Sequence, residues 1–199
     1  MSKPLRIDLF AEDRGHEMLL KPLLERLARE RDRDVEVSVR SARGGHGRAI
    51  AELKLYQNSL TKKIGSGTLP DILVVAIDGN CSGFAEAQRT TRSELIEEFL
   101  TRTVVAPPDP HIEKWYLADL EAFHQVVGFT PPVGRQKCKR DVYKGLLADA
   151  VKRAGHPPTL GGIEFARELA EVMDFFRASK SDSSLKHFLD EIAARLEPR

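Results

Sequence analysis

The sequence has little cysteine and no long apolar run. Cys81 and Cys138 stand far apart and form no C-x-x-C pair, so neither a disulfide framework nor a zinc site is indicated, and a reducing compartment suits both thiols. No apolar run approaches the roughly 20 residues of a membrane span. The N-terminus passes into a strand-like run without an apolar signal region. We therefore expect a cytoplasmic protein without a membrane partner.

The chain also lacks an excess of charge of either sign. Its 31 basic and 30 acidic residues give a net charge of +1, which provides no general attraction to nucleic acid. The charge is uneven locally. Residues 40–48 hold three arginines and one histidine without an acid, and residues 135–144 hold five basic residues against one acid. Patches of this size can contact a phosphate backbone.

Strand-like and helical patterns alternate over the first 130 residues. Four strands are predicted, at residues 5–11, 35–39, 72–77 and 103–106. The continuous apolar run at 72–77 predicts a central strand of a mainly parallel α/β sheet. After residue 130 only helical patterns remain, at about residues 137–154, 162–177 and 184–196. We predict an α/β domain over residues 1–130 and a helical C-terminal subdomain, over residues 131–199, packed on it.

Acids or an amide follow three of these predicted strands. Glu12 follows the first, Asp78 and Asn80 follow the buried run, and Glu113 comes soon after the last. The carboxyl ends of parallel strands lie along one edge, where ligands bind. Oxygen ligands there suit a hard divalent cation such as Mg²⁺. The bland alternative is an ordinary turn, because Asp, Gly and Asn are all favoured in turns.

A glycine-rich loop, Gly44-Gly-His-Gly47, lies between Arg43 and Arg48. Its backbone N–H groups and the two arginines suit a phosphate at a helix start, although a flexible connection explains the loop equally well. It has neither the Walker spacing nor G-x-G-x-x-G. The histidines show no metal-ligand spacing and are expected to be polar surface residues: His16, His46, His111 and His124.

The segment from residue 107 to residue 119 predicts a helix beside the same edge. Asp109 is its expected N-cap and Pro110 its first residue. Trp115 and Tyr116 are expected in the core rather than stacked on bases, and Asp119 is expected to be solvated.

Glu12, the run Asp78-Gly-Asn80 and residues 112–119 (Ile-Glu-Lys-Trp-Tyr-Leu-Ala-Asp) together resemble the topoisomerase–primase, or Toprim, fold family. That family includes the overcoming-lysogenization-defect nucleases. The chain is more closely similar to small, uncharacterised bacterial Toprim-like proteins that are often encoded beside an ABC-type ATPase. The resemblance covers most of the chain through short motifs. It implies a Rossmann-like sheet with flanking helices that binds Mg²⁺ or Mn²⁺ and cuts or rejoins phosphodiesters.

The resemblance also implies roles for individual residues. Glu12 matches the first-strand glutamate, a metal ligand or general acid/base, and Asp78 matches the first aspartate of the family's D-x-D. Asn80 stands where the second aspartate is expected, which removes a negative charge and should weaken metal binding. Asp13 replaces the glycine that usually follows the glutamate, and could restore that charge.

The leading hypothesis is a Mg²⁺- or Mn²⁺-dependent nuclease subunit. Glu12 and Asp78 would be catalytic and hold the metal, with help from Asn80 and Glu113. The resemblance adds an ABC-type ATPase partner and a role in antiphage defence. DNA and RNA are not distinguished, and a homo-oligomer stays open. The nucleic-acid backbone would be positioned by Arg43, Arg48, Lys137, Lys139 and Lys144.

Two other hypotheses remain. A non-catalytic Toprim-like interaction subunit of an ATPase complex is supported by Asn80. A nucleotide-binding α/β module would depend on the Gly44–Gly47 loop.

Overall fold

Four parallel strands form one sheet in the order β2-β1-β3-β4. The structure is a computed structural model, and it describes residues 3–65, 68–134 and 141–197. The strands are β1 (Leu5–Ala11), β2 (Val35–Ser41), β3 (Ile72–Ala76) and β4 (Thr103–Val105). The predicted α/β class is confirmed. The continuous apolar run forms β3, which pairs with a strand on each side and is buried throughout.

Helices cover both faces of the sheet and make up most of the C-terminal third. They are α1 (Arg14–Arg29), α2 (His46–Thr61), α3 (Phe84–Ser93), α4 (Glu97–Leu100), α5 (Ile112–Tyr116), α6 (Leu120–Val127), α7 (Val142–Arg153), α8 (Ala166–Val172), α9 (Phe175–Ser181) and α10 (Ser183–Leu196). The helix predicted at 162–177 is in fact divided. Met173 is extended at ψ 125°, and the Asp174 side chain accepts from the Arg177 N–H to begin α9.

Alternate strand residues pack on opposite faces, as the period of a strand requires. Leu9 and Val74 join a core with α1 and the C-terminal helices. Phe10 and Val75 pack on the other face, against residues of α2 and against Phe99 of α4.

The C-terminal helices contribute to the same core as α1 and α5. The Trp115 indole N–H donates to Ser184 Oγ at 2.9 Å, and its ring stacks on Phe188 with centroids 5.5 Å apart. Trp115 and Tyr116 are fully buried, which confirms the core assignment. The boundary between two domains at residue 130 stays a prediction.

The predicted start of the helix after β4 is wrong. The Asp109–Pro110 peptide is cis, and α5 begins only at Ile112 with His111 as its N-cap. The Asp109 carboxylate instead accepts from the Phe84 N–H at 3.1 Å, at the start of α3. Asp109 therefore caps α3, which is distant in sequence, and not the helix that follows it.

Cys81 also departs from the expectation of two reduced thiols. It is disulfide-bonded in the structure. Cys138 lies outside the described residues. Within the described residues, no helix combines the length and apolarity needed to cross a bilayer.

Candidate metal centre

The loops that follow β1 and β3 meet at the carboxyl edge of the sheet. β1 and β3 are neighbours, and the Glu12 N–H donates to the Ala76 carbonyl at 2.9 Å, just beyond their ladder. β2 lies on the other side of β1, so the chain changes direction across the sheet between β1 and β3. Ligands of open α/β sheets bind at such a switch point. Glu12 and Asp78 are brought together there, as the sequence predicts.

A histidine that sequence reasoning set aside completes the group. His16, in the first turn of α1, is fully buried and lies between two acids. Its Nδ1 is 2.8 Å from Asp13 Oδ1, and its Nε2 is 3.0 Å from Asp78 Oδ1. Glu12, His16 and Asp78 each offer one ligand atom, and these atoms lie within 4.8 Å of one another. This buried group could hold a metal ion. The predicted surface position of His16 is wrong, because α1 begins at Arg14 and turns this residue towards the sheet edge.

The two ring nitrogens of His16 are in different situations. Nδ1 has a hydrogen-bond partner in Asp13. Nε2 is buried and lies 3.0 Å from Asp78 Oδ1, an ion-pair contact that is not a well-aligned hydrogen bond. Metal-binding histidines donate one ring N–H to a carboxylate and present the other nitrogen to the metal. The residues present fit a metal ion at Nε2.

Local sequence explains why His16 is held in this way. Asp13 is the N-cap of α1 and accepts the His16 backbone N–H at 3.2 Å, so one carboxylate fixes both the helix start and the ring. Gly15 allows the close packing. A Cβ at this position would lie 3.2 Å from both Asp13 Oδ1 and Ile112 Cγ2.

The Asp78 carboxylate is held from several sides. Oδ1 accepts from the Ile112 N–H at 2.9 Å, and Oδ2 lies 3.3 Å from His111 Nδ1. The Asp78 N–H donates to Glu12 Oε2 at 2.9 Å, which fixes the two acids relative to each other. Among the described residues, His111 Nε2 is another buried ring nitrogen that makes no hydrogen bond. His111 therefore belongs to the site. The prediction that it is a polar surface residue is wrong.

Charges within the group change the pKa of its members. Burial opposes the charge of His16, but Asp78 and Asp13 raise its pKa to about 10. Burial would raise the pKa of Asp13, yet its hydrogen bond with His16 and the charge of that ring lower it to about 2. The pKa of Asp78 is also lowered, because the charge of His16 and the contact with His111 outweigh burial. Burial, followed by the charge of Asp78, raises the pKa of Glu12.

Two other predicted ligands lie at the margin of the group. Asn80 is exposed, and its side-chain N–H contacts the Asp78 carbonyl of its own turn at 3.4 Å. Glu113 is half-buried in the first turn of α5, and it is not one of the three closely grouped ligands. Burial, and after it the charges of Asp78 and Asp13, raise the pKa of Glu113. Both residues stay predictions as metal ligands.

The predicted backbone-binding residues are only partly gathered at this edge. Arg43 is exposed in the loop after β2, and Arg48 is exposed in the first turn of α2, where it pairs with Glu52 at 2.6 Å. His46 begins α2, and its Nδ1 lies 3.8 Å from Glu12 Oε2, so this helix start adjoins the acid group. Lys144 is exposed on α7. Lys137 and Lys139 lie outside the described residues.

Comparisons with known proteins add no identification. No protein-family model, no curated protein and no solved structure matches this chain significantly.

Proposed function

We propose that this protein is a divalent-metal-dependent nuclease whose ion is held by Glu12, His16 and Asp78. The observation that carries the proposal is the buried His16 ring, whose Nε2 lies 3.0 Å from Asp78 Oδ1 in a group of three ligand atoms within 4.8 Å of one another, at the switch point of a parallel sheet. Phosphodiester hydrolysis, expected from the Toprim resemblance, is the chemistry that best suits such a group.

The donor set favours Mn²⁺ over Mg²⁺. Carboxylates suit both ions, but Mg²⁺ is held almost entirely through oxygen, whereas imidazole nitrogen suits transition metals. His16 supplies such a nitrogen, which the sequence interpretation did not include. When bound, a divalent ion would supply Lewis acidity at the phosphoryl group.

Residues around the ion would position its ligands and exchange protons. Asp13 holds the His16 ring through Nδ1 at 2.8 Å, so His16 is fixed before a ligand arrives. The Ile112 N–H does the same for Asp78. Glu12, whose pKa is raised by burial and then by Asp78, can exchange a proton nearer to neutral pH than a free glutamate.

In this proposal the start of α2 binds and positions the phosphate. The helix has no side-chain N-cap and no acid in its first turn, so its N–H groups and dipole favour an anion. Arg43 and Arg48 flank this helix start and add positive charge, and His46 Nδ1 lies 3.8 Å from Glu12 Oε2. Contacts of this kind fix a nucleic-acid backbone without reading its sequence.

The test is a cleavage assay on fluorescently labelled single-stranded DNA, double-stranded DNA and single-stranded RNA, with Mn²⁺, with Mg²⁺ and with EDTA. We expect cleavage with Mn²⁺ and loss of cleavage in Asp78→Asn. Asp190→Asn, an exposed acid on α10 that pairs with Lys186, is the matched control and should cut like the wild type. Equal cleavage by all three proteins would point to a contaminating nuclease and contradict the proposal.

A second candidate, the non-catalytic interaction subunit, is favoured by one observation. A protonated His16 can pair with both Asp13 and Asp78 and offset one of their two negative charges without any metal, because its pKa is raised to about 10 by these acids against the effect of burial. Unimpaired folding together with absence of Mn²⁺ binding would select this candidate. Association with an ABC-type ATPase, a homo-oligomeric state and a role in antiphage defence stay predictions from the resemblance.

A further inference from the structure

A polar cleft opens at the opposite edge of the sheet from the acid group. It encloses about 540 Å³ beside the first residues of β1 and β3, next to the turn that precedes β4. Of the residues that the structure describes, three arginines line it: Arg33, Arg102 and Arg195. They come from three separate parts of the chain, namely the turn before β2, the turn before β4 and the end of α10. The fold therefore gathers three cations that are far apart in sequence.

Within residues 3–65, 68–134 and 141–197, two of these arginines have no carboxylate partner. Among the described residues, Arg33 forms no side-chain hydrogen bond and no ion pair, and its Nε is buried without a partner. Arg102 donates from Nη1 to the Pro70 carbonyl at 2.8 Å, while its buried Nε also lacks a partner. A guanidinium carries five donors, and withdrawing them from water without replacement is unfavourable. An anionic ligand would compensate for this cost.

Acids in the same cleft do not provide that compensation. Asp71 accepts the Arg6 backbone N–H at 2.8 Å, which commits one of its oxygens to the start of β1. Glu197 is exposed at the end of α10. Arg195 is engaged elsewhere, because it donates to the Thr101 carbonyl and lies 3.8 Å from Glu191. Arg33 and Arg102 thus remain available to a ligand.

We propose that this cleft binds a small phosphate-bearing molecule of mononucleotide size. Arginine is suited to this ligand because its planar fork can donate two parallel hydrogen bonds to a phosphate. The volume lies within the range of about 300–1,000 Å³ that small-molecule sites occupy. Among the described residues the apolar lining consists of Leu5 and Ile72, so the phosphate and not an apolar body supplies recognition.

The cleft is separate from the proposed metal centre. The seven residues of β1 lie between the two edges, a span of about 23 Å at roughly 3.3 Å per residue. A ligand in the cleft therefore cannot contact Glu12 or Asp78. The inference does not depend on the nuclease proposal, and either one can fail alone.

Isothermal titration calorimetry on metal-free full-length protein tests the cleft. The probes are inorganic phosphate and adenosine monophosphate, with adenosine as the uncharged counterpart. We expect both phosphates to bind and adenosine not to bind. Arg33→Gln should weaken phosphate binding about tenfold, the usual effect of losing one charged hydrogen-bond donor. Arg89→Gln, an exposed arginine on α3 outside the cleft, should bind like the wild type.

Asp78→Asn separates the two sites. If it binds phosphate as the wild type does, the anion site is not the metal centre, as the proposal requires. Amide NMR shifts upon addition of phosphate give a second readout without any variant, and they should be concentrated at Asp71, Ile72 and Thr101. Three results would each overturn the proposal: no binding at millimolar phosphate, unchanged affinity in Arg33→Gln, or shifts confined to the loops after β1 and β3.

Discussion

Asp78 and Asp119 are both acids with little exposure, cationic partners and a lowered pKa, yet their surroundings differ. Every contact of Asp119 has hydrogen-bond geometry. Its oxygens accept from the N–H groups of Glu121, Ala122 and Asp174, and from two nitrogens of Arg177 at 3.0 Å each. Asp78 faces two histidines, His16 and His111, and each of these has a buried ring nitrogen without a hydrogen-bond partner.

The difference separates a structural acid from a ligand-binding acid. Asp119 joins the start of α6 to α9, and each of its two oxygens accepts hydrogen bonds. Burial opposes its charge, but the hydrogen bonds of Arg177 lower its pKa, so a lowered pKa alone does not identify a functional site. The two histidine contacts, the neighbouring Glu12 and the position at the sheet's switch point distinguish Asp78.

The largest expected effect is that of Asp78→Asn on metal binding. Asparagine can still accept from the Ile112 N–H, but it removes the negative charge from the group. We expect the Mn²⁺ dissociation constant to rise more than about 100-fold, beyond what loss of a supporting residue costs. Calorimetric titration with Mn²⁺ measures it. The control Asp190→Asn should bind Mn²⁺ like the wild type. If Asp78→Asn bound Mn²⁺ as tightly as this control, Asp78 would not be a ligand-binding acid.

Asp13→Asn tests how His16 is positioned. Asparagine caps a helix as well as aspartate does, so α1 should keep its stability in urea unfolding. The ring would lose its carboxylate partner at Nδ1. We expect Mn²⁺ affinity to fall about 10- to 100-fold, as when other second-shell carboxylates are removed. Unchanged affinity would mean that Asp13 is an N-cap only.

Asp119→Ala should lower stability and leave Mn²⁺ affinity unchanged, the reverse of what we expect for Asp13→Asn. It removes an N-cap and leaves the Asp174 N–H without its acceptor, so the free energy of unfolding should fall by about 1–2 kcal/mol. Mn²⁺ affinity should not change. Urea unfolding measures the first effect and calorimetry the second. Glu121→Ala, which removes a largely exposed partner of Arg177, should leave both values unchanged. Loss of Mn²⁺ affinity in Asp119→Ala would contradict the structural role.

The smallest expected effect is the pH dependence of the contribution that Asp119 makes to the free energy of unfolding. Its pKa is lower in the folded than in the unfolded protein, because the hydrogen bonds of Arg177 outweigh burial. The stabilisation is therefore complete above the unfolded pKa of about 3.9 and is lost as the pH falls through the folded pKa. The difference in unfolding free energy between wild type and Asp119→Asn should be constant above about pH 5 and shrink towards about pH 3. A difference that grows on acidification would refute this.

Much of the fold follows from the sequence through periodicity. The apolar run at β3 and the alternating valines at β2 predicted strands, and the parallel order then brought Glu12 and Asp78 to one edge. The strand patterns are local, and the meeting of Glu12 and Asp78 depends only on the geometry of a parallel sheet. The helix starts were less predictable, because Asp109 caps α3 across the fold rather than its own segment.

The histidines could not be predicted from spacing alone. His16 reaches Asp78 only because α1 begins at Arg14 and lies on the face of the sheet to which Asp78 belongs. The pattern Asp13-x-x-His16 after a strand was the available signal, since an N-cap acid can also hold a histidine in the first turn. The burial of Asp119 likewise depends on Arg177, which is 58 residues away in sequence.

The metal centre is tested most directly by diffraction from crystals soaked in Mn²⁺, with data collected for an anomalous difference map and an Asp78→Asn crystal as the matched control. We predict a peak bonded to His16 Nε2 and to the carboxylates of Glu12 and Asp78, and no peak in the variant. Absence of a peak at millimolar Mn²⁺, with His16 still held between Asp13 and Asp78, would contradict the metal centre and leave an Asp–His–Asp group held by its own ion pairs.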